Sequence, residues 1–298
     1  MSGAAIFDRE LIRRRRVSAV VMAGILLLAL TEAGAALIAP LRAPSDADWK
    51  WAEATVRGSF RPGDLIVAAP GWADQVMRLH LGDLVPVKMA ARLDDARYGR
   101  VWEISQRGGH ADEARGTVAV SSRHGALTVR RWERTPATVI FDFFDQWARA
   151  RVLRVEPGRE IACEHQEDHF QCPDYGFNFV KPALMEIGTT MRNALYTQPV
   201  AGATVVVEFA GVPLGRELVV GGGLHHVWLR KYGDGTVKLR VLVDGREVGR
   251  TEASNRSGWR VDRFDTAAFT SKPATVRFEI TSDNPASRHF GFTAETRS

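Results

Sequence analysis

Apolar positions fall into three regimes along the chain. Near the N-terminus they form an almost unbroken run, Val17–Leu30 and then Ala33–Ala39, interrupted by Thr31 and Glu32 and closed by Pro40. The 23 residues from Val17 to Ala39 suffice for a helix crossing about 30 Å of hydrocarbon. Arg13–Arg16 stand directly before the run and only Arg42 follows it closely. The positive-inside rule therefore places residues 1–16 in the cytoplasm and the chain beyond residue 42 outside. A cleaved signal peptide is the rival reading, because Val17–Leu30 has the length of a signal h-region and Ala33-Gly-Ala35 or Gly34-Ala-Ala36 offers small residues for cleavage. The retained anchor is preferred because the apolar run resumes after Glu32. Glu32 itself reads as a tolerated polar residue near the outer interface, or as a contact to another membrane helix.

The second regime, residues 42–155, reads as a small α/β unit. Ser45-Asp-Ala-Asp48 has the form of a helix start, with Ser45 as N-cap, and the helix runs to about Arg57. Leu65-Ile-Val-Ala-Ala69 is short and wholly apolar, which fits a strand covered on both faces. Trp72–Leu81 has a helical period, with Val76, Leu79 and Trp72 facing inward and Gly82 as the stop. Val85–Val87 and Val101-Trp-Glu-Ile-Ser105 read as strands, with a short helix around Asp94–Tyr98 between them. Ala126–Glu133 alternates as a strand, Ala137–Trp147 passes from strand into short helix, and Val152–Val155 closes the unit. This alternation of strand and helix is the grammar of an α/β layer.

Residues 156–182 read as a connecting loop. From about residue 183 the third regime begins: short β-rich runs, Ala203–Phe209, Glu217–Val220, His226–Lys231, Val237–Val243 and Val276–Thr281, separated by glycine-rich stretches such as Gly221-Gly-Gly223. Asp244-Gly245 after Leu239-Arg-Val-Leu-Val243 is a hairpin signal. Arg288–Glu295 closes the chain as an edge strand with Phe290 and Phe292 inward. Strands at this spacing indicate an antiparallel, jelly-roll-like β-sandwich over 183–298. The fold class expected is thus α+β: one transmembrane helix (17–41), a small α/β unit and a C-terminal sandwich.

Charge narrows the partners. The net +5 is concentrated at the N-terminus, where Arg9 and Arg13–Arg16 meet only Asp8, Glu10 and Glu32, and the remainder carries 35 basic against 32 acidic residues. No basic face for a nucleic acid follows from that balance. The partners expected are the lipid bilayer, an envelope glycan and other membrane proteins. The Arg-rich composition fits a bacterial inner-membrane protein with its bulk in the periplasm.

Two cysteines exclude a disulfide-dense scaffold. Cys163-Glu-His-Gln-Glu-Asp-His-Phe-Gln-Cys172 has three readings: a disulfide, a cramped zinc site using His165 and His169, or free thiols. An oxidising compartment favours the disulfide Cys163–Cys172, with no metal and no cofactor. Asp46-Ala-Asp48 fits the helix dipole better than a metal–nucleotide site, and Gly221-Gly-Gly223 lacks the Lys-Ser/Thr of a phosphate loop. No nucleophile elbow or zinc-protease motif is present, so no catalytic residue is assigned and an enzyme is not expected. His225, His226, Trp228 and Arg230 cluster on one run, and Trp259-Arg260 follow the polar turn Arg256-Ser-Gly258. Loop-borne aromatics beside arginine suit sugar faces and hydroxyls, so Trp259, Arg260, Trp228 and Arg230 are the candidate ligand-binding residues.

Arg61-Pro-Gly-Asp-Leu-Ile-Val-Ala-Ala-Pro-Gly-Trp72 and the stretch through Val101–Ser105 resemble the extracytoplasmic soluble domain of polytopic membrane glycosyltransferases that use lipid-linked sugars, over about residues 50–155. Leu239–Gly245, Ser257-Gly-Trp259 and the final strand resemble a galactose-binding-like jelly roll, over about 183–298. Those transferases carry their catalytic carboxylates between membrane helices that this chain does not have, so what the resemblance implies is compartment, fold and a glycan context. The function expected is a membrane-anchored, non-enzymatic module that binds envelope glycan or supports a membrane glycan or assembly complex. The alternatives are a structural partner subunit without a small ligand and, behind it, an enzyme acting on envelope saccharide or lipid.

Overall fold

A computed structural model describes residues 3–38, 43–173, 176, 178–225, 234–286 and 288–298, with side chains described from Val20 onward. Helix α1 spans Gly3–Ile38. Its stretch Val20–Ile38 has a mean hydropathy of 2.1, and none of it is buried against the rest of the molecule. Among the described residues nothing packs against the Leu and Ile side chains of this stretch.

The α/β unit follows. Helix α2 (Asp46–Arg57) starts in a capping box: Asp48 N–H donates to Ser45 Oγ at 3.2 Å, and Ser45 N–H donates to Asp48 Oδ2 at 2.9 Å. Strands β1 (Leu65–Ala69), β2 (Arg100–Gln106), β3 (Thr117–His124) and β4 (Leu127–Glu133) form a sheet in the order β1-β2-β4-β3. The pair β1–β2 is parallel and the others are antiparallel. Every residue of β1 is buried, as its unbroken apolar run requires.

Helix α3 (Asp74–Leu81) corrects the inward face read from the sequence. Met77 and Leu81 are buried, while Trp72, Val76 and Leu79 are exposed. The helix carries two apolar stripes, and periodicity alone does not say which one meets the sheet. Val85–Val87 is not a strand: it leads into the short helix α4 (Val87–Ala90), and Pro86 at its N-cap denies a ladder donor. Residues 94–98 form turns, with the Asp94 carboxylate accepting from Ala96 N–H at 3.0 Å.

The sandwich starts earlier in the chain than its glycine-rich spacing suggests. Strands β5 (Val139–Asp142), β6 (Arg151–Glu156), β7 (Arg159–Ala162), β8 (Glu164–His165) and β9 (Phe170–Gln171) all pair inside its two sheets. They are joined by β10 (Phe179–Ile187), β11 (Thr190–Thr197), β12 (Thr204–Val212), β13 (Glu217–Leu224), β14 (Val237–Val243), β15 (Arg246–Ala253), β16 (Arg260–Asp265), β17 (Ala274–Ser282) and β18 (Phe290–Arg297). Among the described residues the larger sheet runs β16-β13-β18-β11-β10-β9-β8, with β5 also on β18, and the smaller runs β15-β14-β17-β12-β6-β7. The core between them is aliphatic and aromatic; Phe143, Phe209, Phe278 and Phe292 are all buried in it. Residues 139–162, read as finishing the α/β unit and opening a loop, thus complete the sandwich, because β6 supplies the partner that β12 needs beside its other neighbour β17.

Three further points follow from pairing. The hairpin at Asp244-Gly245 forms as read, with both residues at positive φ and Leu239, Val241 and Val243 buried. The closing strand β18 is central, not an edge: β13 flanks one side, β11 and β5 the other, and all eight of its residues are buried. Gly221-Gly-Gly223 lies inside β13 and does not connect strands. A Cβ at Gly221 would run into Leu93 and Trp259, and one at Gly223 into Ile187 and the Gly258 carbonyl.

Candidate functional site

Two neighbouring strands divide the outer face of the larger sheet into a covered half and an open half. In β10 the alternate residues Phe179, Lys181, Ala183, Met185 and Ile187 share one face, and their partners on β11 include Tyr196 opposite Lys181, Ala194 opposite Ala183 and Arg192 opposite Met185. Pro182 is tolerated because β9 pairs with β10 only at 179–180 and leaves this stretch at the sheet's edge.

The covered half meets the α/β unit. Trp259 Nε1 donates to the Leu93 carbonyl at 3.0 Å, the Arg192 guanidinium lies 5.5 Å from the Trp259 ring, and Arg192 donates to the Arg92 carbonyl at 2.8 Å. Burial, and then the neighbouring Arg92, pull the Arg192 guanidinium down to about 10. Beside them Arg297 donates both terminal nitrogens to Asp94, at 2.9 and 2.8 Å, and also holds Glu295; Arg97 joins Glu295 and Asp142. Glu295 is pushed above the usual carboxylate range by burial, against the pull of Arg297 and Arg97. Buried charges are tolerated here because each has a partner on the opposite unit or strand.

The open half carries a row of half-exposed rings. His169 and Phe179 lie 5.8 Å apart, Phe179 and Tyr196 5.1 Å, and Tyr196 and His289 5.7 Å, measured between ring centres. Lys181 Nζ sits 5.3 Å from the Phe179 ring. Tyr196 Oη and His289 Nδ1 are 2.7 Å apart. Burial pushes the Tyr196 phenol up to about 12, and burial together with nearby His225 lowers His289. Tyr196 therefore stays protonated and donates to a neutral imidazole.

A pocket of about 330 Å³ adjoins the row, lined by Asn178, Gln198, Pro199, Val200, Asn284 and Pro285 among others. Tyr196 Oη reaches Gln198 Oε1 at 3.4 Å, which links the pocket to the rings. Asn178 is buried; its Nδ2 donates to the Gln198 carbonyl at 3.3 Å, and its Oδ1 has no hydrogen-bond partner among the described residues. A buried amide oxygen left unpaired is costly, and this one exposes almost no surface. Apolar ring faces, a hydroxyl, an ammonium donor and the amides lining the pocket together suit a polyhydroxylated ligand.

The residues singled out in the sequence fare differently. Cys163 and Cys172 form the disulfide, clasping the β8–β9 hairpin, and no group of three or more possible metal ligands occurs among the described residues. His165 stacks on Phe170 at 4.5 Å in that hairpin. Trp259 is half-buried with its N–H and one face committed to the junction, so it does not present the free ring expected of it. Arg260 is exposed on β16 and paired with Asp262 at 3.0 Å, away from the aromatic row. Trp228 and Arg230 lie outside the described residues. The described residue before them, His225, donates its N–H to the His289 carbonyl at 2.9 Å. Phe179, Tyr196 and Asn178 were missed. The signal was the alternation Phe179-Val-Lys-Pro-Ala-Leu-Met, masked by Pro182.

A second concavity, of about 590 Å³, opens between the units, with Asp74, Arg78, Arg92 and Glu113 along apolar walls from β1, α4 and the β10–β11 turn. Its charges satisfy one another, Asp74 with Arg78 and Arg92 with Glu113, each at 2.6 Å. Glu103, fully buried in the sheet, accepts from Ala111 N–H at 2.9 Å and from Arg130 and Trp132, with His110 at 3.3 Å; it anchors the 107–116 loop.

No family model matches the chain, and no curated protein matches it. Among solved structures it is similar to the CBM51-2 and INT domains of ZmpB from Clostridium perfringens, with 10% identity, 65% of this chain and 40% of that one covered, and a TM-score of 0.32. It is similar to the CBM51 of a Clostridium perfringens GH95 in complex with methyl-galactose, with 11% identity, 48% and 99% covered, and a TM-score of 0.31. It is also similar to the tandem CBM51 modules of a family 98 glycoside hydrolase from Streptococcus pneumoniae, with 12% identity, 58% and 56% covered, and a TM-score of 0.32. The chain thus spans less than two thirds of the first of these. These comparisons give no support to the glycosyltransferase-domain likeness of residues 50–155. TM-scores of this size leave the functional reading to the geometry of the site.

Proposed function

We propose that the chain is a membrane-anchored, extracytoplasmic module that binds envelope glycan, without catalysis, on the open half of the larger sheet. The observation that carries this reading is the half-exposed row Phe179–Tyr196–His289 beside a pocket lined by the amides of Asn178, Gln198 and Asn284. A pyranose stacks its C–H face on the rings, Lys181 donates to its oxygens, and the Tyr196 hydroxyl oxygen, its proton given to His289, accepts from a sugar hydroxyl. Trp228 and Arg230, outside the described residues, are proposed as further ligand contacts, while Trp259 serves the junction. The bare helix α1 anchors the molecule with residues 1–16 in the cytoplasm of a bacterial cell, and the disulfide fits an oxidising periplasm. The test is retention of the full chain, reconstituted in lipid vesicles, on immobilised polysaccharides extracted from bacterial envelopes. Retention that free polysaccharide competes away is expected. Equal passage over polysaccharide-bearing and blank supports would refute the proposal.

A further inference from the structure

Helix α3 and the turn before it carry two apolar stripes, and the fold uses one. Ala73, Met77 and Leu81 are 1%, 0% and 0% exposed and pack on the sheet, whereas Trp72, Val76 and Leu79 are 60%, 37% and 83% exposed. The spacing of the outer set, i, i+4 and i+7, makes a continuous strip roughly 130° around the helix from the buried one, at 3.6 residues per turn. Nothing among the described residues covers it. Bare leucine and tryptophan aligned in one strip cost solvation unless something apolar lies against them.

The chain itself indicates what lies there. Helix α1 ends at Ile38 and α2 starts at Asp46, so residues 39–45 are the whole connection. Fully extended, that connection reaches less than about 30 Å. Helix α2 is fastened along its length to the end of α3 and the turn after it: near its start the Trp49 and His80 rings stack at 5.8 Å, His80 Nδ1 lies 3.4 Å from Glu53, and at its end Arg57 holds Asp83 at 2.8 Å. Leu79, the most exposed of the three, therefore sits beside the helix whose start is tethered to the end of the apolar span. At the other end of the strip the Arg107 guanidinium lies 6.0 Å from the Trp72 ring. An indole with an arginine over one face of its ring suits the headgroup level of a bilayer, where the rest of the ring meets acyl chains and the cation meets phosphates.

We infer that α3 lays Trp72, Val76 and Leu79 on the outer surface of the bilayer that α1 spans, so that the α/β unit rests on the membrane and the sandwich is held in a fixed pose above it. This rests on the reading of α1 as a retained anchor. Three strip residues give a shallow, plane-parallel contact that would be weak alone and is sustained by the tether, which keeps the local lipid concentration high.

Photo-crosslinking of the full chain in vesicles of phosphatidylethanolamine and phosphatidylglycerol tests it. p-Benzoylphenylalanine replaces Leu79, Leu27 within the span, or Arg250, exposed on β15, in three separate proteins, and adducts to alkyne-tagged lipid are counted. The Leu79 and Leu27 proteins should both yield lipid adducts, at least tenfold above the Arg250 protein. Adducts at Leu27 with none above background at Leu79 overturn the inference and leave the anchor standing. A protein–protein adduct of doubled mass at Leu79, in place of lipid, overturns it in favour of a second copy of the chain. No lipid adduct at either position removes the anchor and the surface contact together. Leu79 is exposed, so the melting temperature of its variant should match the wild type and loss of fold does not confuse the result.

Discussion

Replacing Arg297 by methionine isolates the charge chemistry of the junction, because the substitution keeps most of the buried volume and removes the guanidinium. Arg297 is 1% exposed at its side chain and shares its nitrogens between Asp94, on the α/β side, and Glu295, on its own strand. After the change Asp94 keeps Arg263 at 3.1 Å, and Glu295 keeps Arg97. Removing one partner of a buried ion pair costs about 3–5 kcal/mol, since the other charge is left without compensation. The remaining arginines hold the expected loss to the lower end, about 3 kcal/mol. For a body of this size that lowers the melting temperature by roughly 6–12 °C. Sign and origin are checked by a cycle with Asp94→Asn: if the pair is coupled, the double variant loses at least about 1.5 kcal/mol less than the sum of the singles. Burial tends to raise the Asp94 carboxyl, but Arg297, the Ala96 N–H and Arg263 together outweigh it and the net position is below the ordinary 3.8. The Asp94 share of stability is therefore present above that value and is lost as pH falls through the lower folded one. Denaturant unfolding of the reconstituted chain reads these losses directly. A loss under about 1 kcal/mol for Arg297→Met, or simple additivity in the cycle, would refute the account of the junction.

Three further outcomes are expected. Cys163→Ser with Cys172→Ser opens a ten-residue loop and should lower stability by about 2.5–3 kcal/mol in the chain-entropy treatment, read by thermal melting; an unchanged melting temperature contradicts it. Trp259→Ala removes the indole wedged between Leu93, Arg192 and Gly221, so it should destabilise by about 3 kcal/mol while glycan affinity in the folded protein stays within twofold. Burial lowers His289 from its ordinary 6.5, so stability should fall as pH drops below that value and level off below the folded one; His289→Gln should flatten this acid limb, and an equal slope in the variant would count against the buried neutral imidazole.

The sequence and the structure part company at particular residues, for physical reasons. The helix start with Ser45 as N-cap, the Asp244-Gly245 hairpin and the buried strand Leu65–Ala69 were legible because each is decided within a few residues. The face of α3 was not, since its two apolar stripes are equivalent until the sheet chooses one. The position of β18 was hidden because Glu295 and Arg297 look like surface residues and are buried only by charges from Asp94 and Arg97, about 200 residues away. The start of the sandwich was hidden because β5, β6 and β7 find partners in strands that lie far along the chain. The aromatic row depends on Phe179, Tyr196 and His289 meeting across three segments, and Phe179 lies in the stretch 156–182 read as a connecting loop. Trp259 was drawn to the surface by its polar turn, whereas its contact with Leu93 belongs to the join between two units.

The central claim is that the outer aromatic face of the larger sheet holds glycan. Calorimetric titration of the vesicle-reconstituted chain with fragments of envelope polysaccharide tests it when wild type is compared with Phe179→Ala. Loss of one aromatic anchor typically costs about 1–3 kcal/mol, a tenfold to hundredfold change in affinity. The account predicts that Phe179→Ala binds at least tenfold more weakly with an unchanged melting temperature. Wild-type affinity in a folded Phe179→Ala would contradict it.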